Sequence, residues 1–137
     1  MPQGWLLKTE PTAYSFAQLQ RDKRTVWDGV KNPQALKNLS QVKKGDRLLI
    51  YHTGDEKAVV GIATALAAAY PDPNKNDPKL LVIDLAPVAP LPRAVTLAQI
   101  KASSTFKDWE LVRLPRLSVM PVSAEYWAEL ERMANDS

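Results

Sequence analysis

The residues best suited to binding chemistry lie in one short stretch, residues 25–33. Trp27 offers a flat aromatic surface, and Asn32 offers an amide that both donates and accepts hydrogen bonds. Asn32 is also a preferred N-cap, and Pro33 suits the first position of a helix. An aromatic ring beside the free N–H groups of a helix end suits a planar polar ligand such as a nucleobase. Most tryptophans in small domains belong to the core, so Trp27 also has a purely structural interpretation.

A second group that could do chemistry is the run Lys8, Thr9 and Glu10, which supplies a cation, a hydroxyl and a carboxylate. Such a set is typical of acid–base catalysis. Because side chains alternate along a strand, Lys8 and Glu10 should face one way and Thr9 the other. A turn at Pro11 would have to bring the three together, and a salt-bridged strand end is the structural alternative.

The remaining candidates exclude several kinds of enzyme. His52 is the single histidine and the chain has no cysteine, so histidine or thiolate metal clusters and a cysteine nucleophile are excluded. The sequence contains no GxGxxG, P-loop or nucleophile elbow. We therefore expect no cofactor and no metal. His52 beside Tyr51 in a strand favours a hydrogen-bonded structural role, and Arg116 and Ser118, near a short strand, indicate little alone.

Length and charge restrict the class of protein. The chain has 137 residues, 45% of them hydrophobic and 24% charged, which predicts one folded domain over residues 1–137. Residues 1–53 carry nine Lys or Arg against four Asp or Glu, a net charge of +5, whereas residues 54–137 carry nine against eleven, a net charge of −2. A basic half suits an anionic partner such as nucleic acid, although small domains often show such asymmetry by chance.

The hydropathy pattern gives no reason to expect a membrane. The longest apolar run, residues 63–70, is too short to span a bilayer, and the lack of a basic leader followed by an apolar run leads us to expect no signal peptide. We expect a soluble intracellular monomer, cytoplasmic in a bacterium or nuclear in a eukaryote.

The spacing of apolar residues predicts an α+β fold, a small partly closed barrel of about five to six strands flanked by short helices. Strands are predicted at residues 5–8, 47–53, 58–70, 80–88 and 117–120. Helices are predicted at residues 16–20, after Asn32, at 97–101 and after Ser123.

Three features of these elements can be checked directly. Gly61 predicts a bulge or a close approach within strand 58–70, whose alanines alone would favour a helix. The prolines at 87, 90 and 92 should prevent long pairing beyond residue 88. Residues 102–113 look irregular, with Phe106, Trp109 and Leu111 as packing residues. The last helix should bury Tyr126, Trp127, Leu130 and Met133.

A series of short motifs follows in order along nearly the whole chain. They are WLLKTEP at 5–11, YS at 14–15, WDGVKN at 27–32, GD at 45–46, YHT at 51–53, VGIA at 60–63, YPDP at 70–73 and RLSV at 116–119. In this combination the sequence resembles the EVE domain family, which is related to the YTH and ASCH domains.

The resemblance implies a PUA-like pseudo-barrel and a non-catalytic function. EVE domains are thought to read modified bases in DNA, such as 5-methylcytosine, by flipping the base into a pocket, and RNA stays open as the carrier. The partner would therefore be a nucleic acid that carries a modified base. An ASCH-like amidohydrolase acting on a modified nucleoside, or a protein-interaction module, are the alternatives.

The resemblance also implies roles for individual residues. Trp27 would stack on the extruded base. The other nucleobase contacts would come from Thr9, Asn32, Tyr51, His52, Thr53 and Ser118. Contacts to phosphate or to a base carbonyl would come from Lys8, Lys31 and Arg116. Relatives commonly have Ser where Thr9 and Thr53 stand, Arg where Lys31 stands and an aromatic residue where Pro33 stands, so Pro33 bears on the choice of base.

Overall fold

The computed structural model describes residues 3–135, and seven strands and five α-helices lie within that range. The strands are β1 (Gly4–Thr9), β2 (Thr25–Trp27), β3 (Arg47–His52), β4 (Ala58–Ala65), β5 (Tyr70–Pro71), β6 (Leu81–Thr96) and β7 (Val119–Val122). The helices are α1 (Phe16–Asp22), α2 (Pro33–Leu39), α3 (Leu97–Ala102), α4 (Glu110–Arg113) and α5 (Ala124–Asn135), with a 3₁₀ turn at Ser104–Phe106.

The strands form one curled, mixed sheet in the order β2-β6-β4-β3-β1-β7, and β5 pairs with the start of β6. Strand β3 is central, as its apolar sequence predicts, since β1 and β4 flank it. The predicted α+β class and the PUA-like pseudo-barrel are confirmed. The structure has more strands than the predicted five to six. The additional strands β2 and β5 have only three and two residues, too few to give a recognisable apolar pattern in the sequence.

The pairing of β1 determines which side chains can meet. Strand β1 runs parallel to β3, with Lys8 opposite Tyr51 and Thr9 opposite His52. On its other side β1 runs antiparallel to β7, with Leu7 opposite Val119. Because parallel strands end at the same edge of a sheet, the polar ends of β1 and β3 lie side by side.

The core follows the predicted apolar pattern. Phe106, Trp109 and Leu111 are buried as predicted, and Tyr126 packs on the first two rings at 5.2 Å between centroids. In α5, Trp127 and Leu130 are buried, whereas Tyr126 and Met133 are only partly covered. Burial of such side chains is the main stabilising contribution, about 1.5–3 kcal/mol each.

Polar side chains cap the helices where the sequence places them. Asn32 accepts a hydrogen bond from the Ala35 N–H at 3.0 Å, and Ser15 and Ser123 cap α1 and α5 in the same way. Thr96 and Gln99 form a reciprocal capping box on α3. These caps set where the helices begin, and so they fix the loops that precede them.

The predicted strand at 58–70 is wrong beyond Ala65. There the Leu66 N–H turns to the Asp84 carbonyl at 2.9 Å, and the chain bends before it forms the short β5. Alanine has little β-branched surface to pack on a sheet, so the run at 67–69 does not sustain a strand.

The expectation that prolines end the next strand is also wrong, since β6 continues to Thr96. After Leu85 the strand pairs with β4 on one side only, so a missing N–H is tolerated on the open side. Pro87 and Pro90 both lie beside register shifts in the β4 pairing. The prolines distort β6 without ending it.

Two further predictions are corrected in detail. The strand predicted at 117–120 lies two residues later, at Val119–Val122, and the region thought irregular contains the 3₁₀ turn and α4. Gly61 is confirmed as both a bulge and a close approach. The β3–β4 register shifts beside it, and a Cβ there would lie 2.5 Å from the Phe16 ring.

Within residues 3–135, no helix has the length and apolar character needed to cross a membrane. The same part of the chain holds no cluster of three or more His, Cys, Asp or Glu side chains able to ligate a metal ion.

Candidate functional site

The end of β1, the loop before α1, and β2 enclose a cavity of about 460 Å³, which we call the Trp27 cavity. Its volume lies within the range typical of small-molecule sites. Strand β2 was not predicted; it exists because residues 25–27 pair antiparallel with Leu85, Asp84 and Ile83 of β6. The lining residues are Lys8, Thr9, Ala13, Tyr14, Thr25, Val26, Trp27 and Asp28.

Trp27 belongs both to the core and to this cavity. Its side chain is only 7% exposed, and the Tyr14 ring packs edge-on against it with 6.1 Å between centroids. Both interpretations of Trp27 from the sequence therefore apply. The indole forms a fixed wall of the cavity, and the neighbouring Val26 is half exposed and adds an apolar surface.

Thr9 presents an acceptor to the cavity. Its hydroxyl donates to the Tyr14 carbonyl oxygen at 2.7 Å, so the single hydroxyl proton is already used. The free lone pairs of Oγ1 can still accept from a ligand. The exposed Asp28 carboxylate provides a second acceptor group in the same cavity.

Lys8 is the donor of the site. Its ammonium donates to the Pro115 carbonyl at 3.0 Å and lies 5.5 Å from the centre of the Tyr51 ring. Partial burial of this amine lowers the pKa of Lys8 below its usual range. Within residues 3–135, no carboxylate forms an ion pair with it.

Two further cavities are lined by one or both residues of the Lys8–Pro115 hydrogen bond. The Tyr51 cavity, of about 260 Å³, is lined by Lys8, Tyr51, Thr53, Gly54, Lys57, Leu97, Lys101, Leu111 and Pro115. The Asn32 cavity, of about 470 Å³, is lined by Asn32, Gln34, Arg113, Leu114, Pro115, Arg116 and Leu117. Lys8 lines the first two cavities and Pro115 lines the last two, so the three hollows share lining residues and together form one surface.

Most of the predicted site residues line this surface. Lys8, Thr9 and Trp27 line the Trp27 cavity, Tyr51 and Thr53 the Tyr51 cavity, and Asn32 and Arg116 the Asn32 cavity. Asn32 uses its oxygen to cap α2, and within the described residues its amide nitrogen has no partner and can donate to a ligand.

His52, Ser118 and Lys31 lie outside the three cavities. His52 is buried, and its Nε2 accepts from the Phe16 N–H at 3.0 Å while Nδ1 lies 2.7 Å from a Glu56 carboxylate oxygen. Both ring nitrogens are thus occupied, and the imidazole holds α1 against the β3–β4 hairpin. The Ser118 backbone carbonyl accepts from the Lys8 backbone N–H at 3.0 Å. Lys31 is exposed.

The Lys8, Thr9 and Glu10 set does not assemble in one place. Lys8 and Thr9 both line the Trp27 cavity, although strand alternation predicted that they would separate. Glu10 lies outside it and accepts hydrogen bonds from the Thr12 hydroxyl and N–H. The Thr12 hydroxyl bond is the main cause that lowers the pKa of Glu10, so this carboxyl stays ionised.

Several lining residues were missed from the sequence. Tyr14 and Asp28 lie within motifs shared with the EVE family, but neither of them was assigned a binding role from the sequence. The position of Asp28 directly after Trp27 was the signal that could have identified it as a lining residue of the Trp27 cavity. Lys57 and Lys101 carried no local signal, because only the fold brings the β3–β4 loop next to the end of α3.

Comparison with known proteins shows which of them this chain resembles. The family model of the EVE domain matches residues 3–133. Chicken thymocyte nuclear protein 1 is 29% identical over 88% of this chain, which spans only 64% of the chicken protein's length.

Solved structures with the same fold cover almost the whole chain. The NMR structure of a Rhodopseudomonas palustris protein is 36% identical with a TM-score of 0.91, over 96% of this chain and 92% of its own. Human thymocyte nuclear protein 1, solved in complex with DNA containing 5-methylcytosine, is 25% identical with a TM-score of 0.90, over 98% and 99%. An ASCH protein from Zymomonas mobilis, 13% identical with a TM-score of 0.57 over 95% and 94%, shares the fold alone.

Proposed function

Since the chain belongs to the EVE domain family, we propose that it is a non-catalytic reader that binds a modified cytosine in DNA. The flipped base would enter the Trp27 cavity. The observation that carries this proposal is the near full-length structural likeness to the human protein bound to DNA containing 5-methylcytosine. The cavity chemistry supports it independently.

The polar groups of the Trp27 cavity complement the hydrogen-bonding edge of cytosine. Cytosine has one exocyclic amine that donates, beside a ring nitrogen and a carbonyl that accept. Asp28 and Thr9 offer acceptors for the amine, and Lys8 offers a donor for the carbonyl. Reading a flipped base through this edge is how base-flipping proteins select their target.

The apolar walls account for the rest of the binding energy. Contact of a base with an aromatic wall such as Trp27 is worth about 1–3 kcal/mol. Extruding a paired base costs a few kcal/mol, so we expect stronger binding to single strands and duplex ends. Burying one methyl group against Val26 contributes about 0.8 kcal/mol. At about 1.36 kcal/mol per tenfold, this favours 5-methylcytosine over cytosine about fourfold.

The other predicted residues fit around this base. Asn32 and Arg116, in the Asn32 cavity, would contact the DNA next to the flipped base. Lys31 and Ser118 would contribute to the same contact. Tyr51 and Thr53 would line the path of the backbone. His52 would act by holding α1, and with it Tyr14, instead of contacting the base.

The amidohydrolase alternative has less support in this geometry. Glu10 is ionised and hydrogen-bonded to Thr12, outside the cavity that holds Lys8 and Thr9. The likeness to the ASCH protein is one of fold alone.

The test is binding of labelled single-stranded oligonucleotides by fluorescence anisotropy, with one central 5-methylcytosine or cytosine. Trp27→Ala should weaken binding of the methylated strand about 5- to 150-fold, the loss that corresponds to 1–3 kcal/mol of aromatic contact, while Trp27→Phe should keep most of it. Circular dichroism and urea unfolding check that the variants fold.

A measurement on the wild-type protein covers the outcome in which Trp27→Ala does not fold. The methylated strand should shift the indole N–H resonance of Trp27 more than that of Trp109, which is buried and donates to the Pro121 carbonyl at 3.0 Å. Wild-type affinity in a folded Trp27→Ala variant, or an unmoved Trp27 resonance at saturation, would overturn the proposal.

A further inference from the structure

Three lysines from distant parts of the chain line the Tyr51 cavity. Lys8 comes from β1, Lys57 from the β3–β4 loop and Lys101 from the last turn of α3. No acidic residue lines the cavity. Within residues 3–135, none of the three ammonium groups has a carboxylate oxygen within 4.0 Å.

Three acids lie near this cluster without forming an ion pair with it. The Glu10 carboxylate lies beside Gly54 of the cavity, where a Cβ would be 2.9 Å from Oε1, and it accepts hydrogen bonds from the Thr12 N–H and hydroxyl. Asp55 and Glu56 lie in the same hairpin loop as Lys57 and line an adjacent cavity that Lys57 and Lys101 also line, yet neither carboxylate lies within 4.0 Å of the ammonium group of either lysine. Glu56 is engaged by the His52 ring at 2.7 Å. Lys57 and Lys101 are both exposed, so solvent screens much of their mutual repulsion, and an anion placed between them would be attracted by both charges.

Lys57 is held in an unusual backbone conformation beside the cavity. This residue has φ +45°, a left-handed conformation that glycine or asparagine adopts more easily. The Leu97 N–H donates to the Lys57 carbonyl at 2.8 Å and holds the loop against the start of α3. The chain thus places a lysine at a position that favours glycine, and this lysine lines both the Tyr51 cavity and the adjacent cavity of Asp55 and Glu56.

The size and polar groups of the cavity suit a phosphate. A hollow of about 260 Å³ lies below the usual range for small-molecule sites, which leaves room for a small anion more than for a second base. Thr53 and Gly54 add a hydroxyl and a loop backbone to the three ammonium groups. Lys8 lines this cavity and the Trp27 cavity alike, so one nucleotide can span both.

We propose that the Tyr51 cavity binds a DNA backbone phosphate next to the flipped base, with Lys57 and Lys101 as its main contacts and Lys8 between phosphate and base. This inference rests on the proposed function for the identity of the base. It adds two contacts that were not predicted from the sequence, and it assigns them no part in choosing the base.

The main experiment compares Lys57→Gln/Lys101→Gln with wild type by fluorescence anisotropy from 0.05 to 0.3 M NaCl. Losing one phosphate contact on a single strand should lower the slope of log K against log salt by about 0.7. Affinity should then fall about eightfold at 0.05 M and about fourfold at 0.15 M. The ratio of affinities for methylated and unmethylated strands should stay as in wild type, because phosphate contacts carry no base information.

Lys75→Gln/Lys79→Gln is the matched control, because it removes the same charge from exposed lysines that line none of the three cavities. Its salt slope should equal that of wild type. An unchanged slope in the Lys57→Gln/Lys101→Gln variant, or an equal drop in both variants, would overturn the proposal.

A second arm uses inorganic phosphate, titrated against NaCl at equal ionic strength and followed by backbone amide resonances. Phosphate should shift the Thr53, Gly54 and Lys57 amides in wild type and not in the double variant at Lys57 and Lys101. Shifts without any change in DNA salt slope would reject the DNA phosphate in favour of a free anion. If wild type fails to distinguish methylated from unmethylated strands, the proposed function fails, whereas the phosphate site still stands or falls on these shifts.

Discussion

Asp28 provides the sharpest test of how the Trp27 cavity selects its base. Thymine carries the same methyl group as 5-methylcytosine, but it has a carbonyl oxygen where cytosine has an amine. In the proposed complex the Asp28 carboxylate would accept from the amine and would repel the carbonyl. Wild type should therefore prefer 5-methylcytosine to thymine, and Asp28→Asn should remove that preference because an amide can donate to the carbonyl.

The structure allows the size of this effect to be worked out. A well-placed side-chain contact to a base edge is worth about 1–3 kcal/mol of discrimination. Asp28 is exposed, so solvent screens its charge and the lower end of the range applies. The ratio of affinities for the two strands should then fall about fivefold to tenfold in Asp28→Asn. Stability should change little, because surface substitutions usually stay within about 0.5 kcal/mol.

Competition between two labelled strands that differ only in the central base measures this ratio directly. Asp55→Asn is the control, since it makes the same charge change at an exposed loop residue that lines none of the three cavities. Its preference should match that of wild type. If Asp28→Asn keeps the wild-type preference for 5-methylcytosine, Asp28 does not read the amine.

Two other predictions concern Lys8 and Gly61. The contribution of Lys8 to DNA affinity requires its charge, and burial lowers its pKa below the usual 10.5, so this contribution should be lost as pH rises through the lowered value. The affinity difference between wild type and Lys8→Met, measured by anisotropy, should therefore begin to narrow below pH 10.5, and a difference that stays constant up to that pH would contradict this. Gly61→Ala should destabilise the fold by about 1–3 kcal/mol, because its Cβ would lie 2.5 Å from the Phe16 ring. Urea unfolding measures that loss, and an unchanged midpoint would refute the close-packing argument.

A division of labour follows from the geometry of the site. The Trp27 cavity holds groups that can distinguish bases, whereas Lys57 and Lys101 in the Tyr51 cavity are suited to a phosphate, which carries no base information. His52 connects to neither directly, yet it fixes α1 beside the Trp27 cavity through the Phe16 N–H. Substitutions in the Trp27 cavity should thus change the choice of base, and substitutions in the Tyr51 cavity should change the salt dependence of DNA binding. Substitutions at His52 should change the stability of the fold.

The sequence by itself determined the features that depend on near neighbours in the chain. The caps at Ser15, Asn32, Thr96 and Ser123 follow from side chains that reach a backbone N–H three residues away. The apolar run of β3 predicted a central strand because both of its faces had to be buried. The order of motifs identified the family without any tertiary information.

Only the tertiary structure decided the features that depend on distant partners. Strand β6 runs through its prolines because β4 pairs with it on one side and leaves the other side open. Trp27 became a buried cavity wall because β2 pairs with β6. Lys57 and Lys101 are 44 residues apart in the sequence, and no local pattern links them. They meet at one cavity because the β3–β4 loop packs against α3, and such long-range contacts leave no signal in a single sequence.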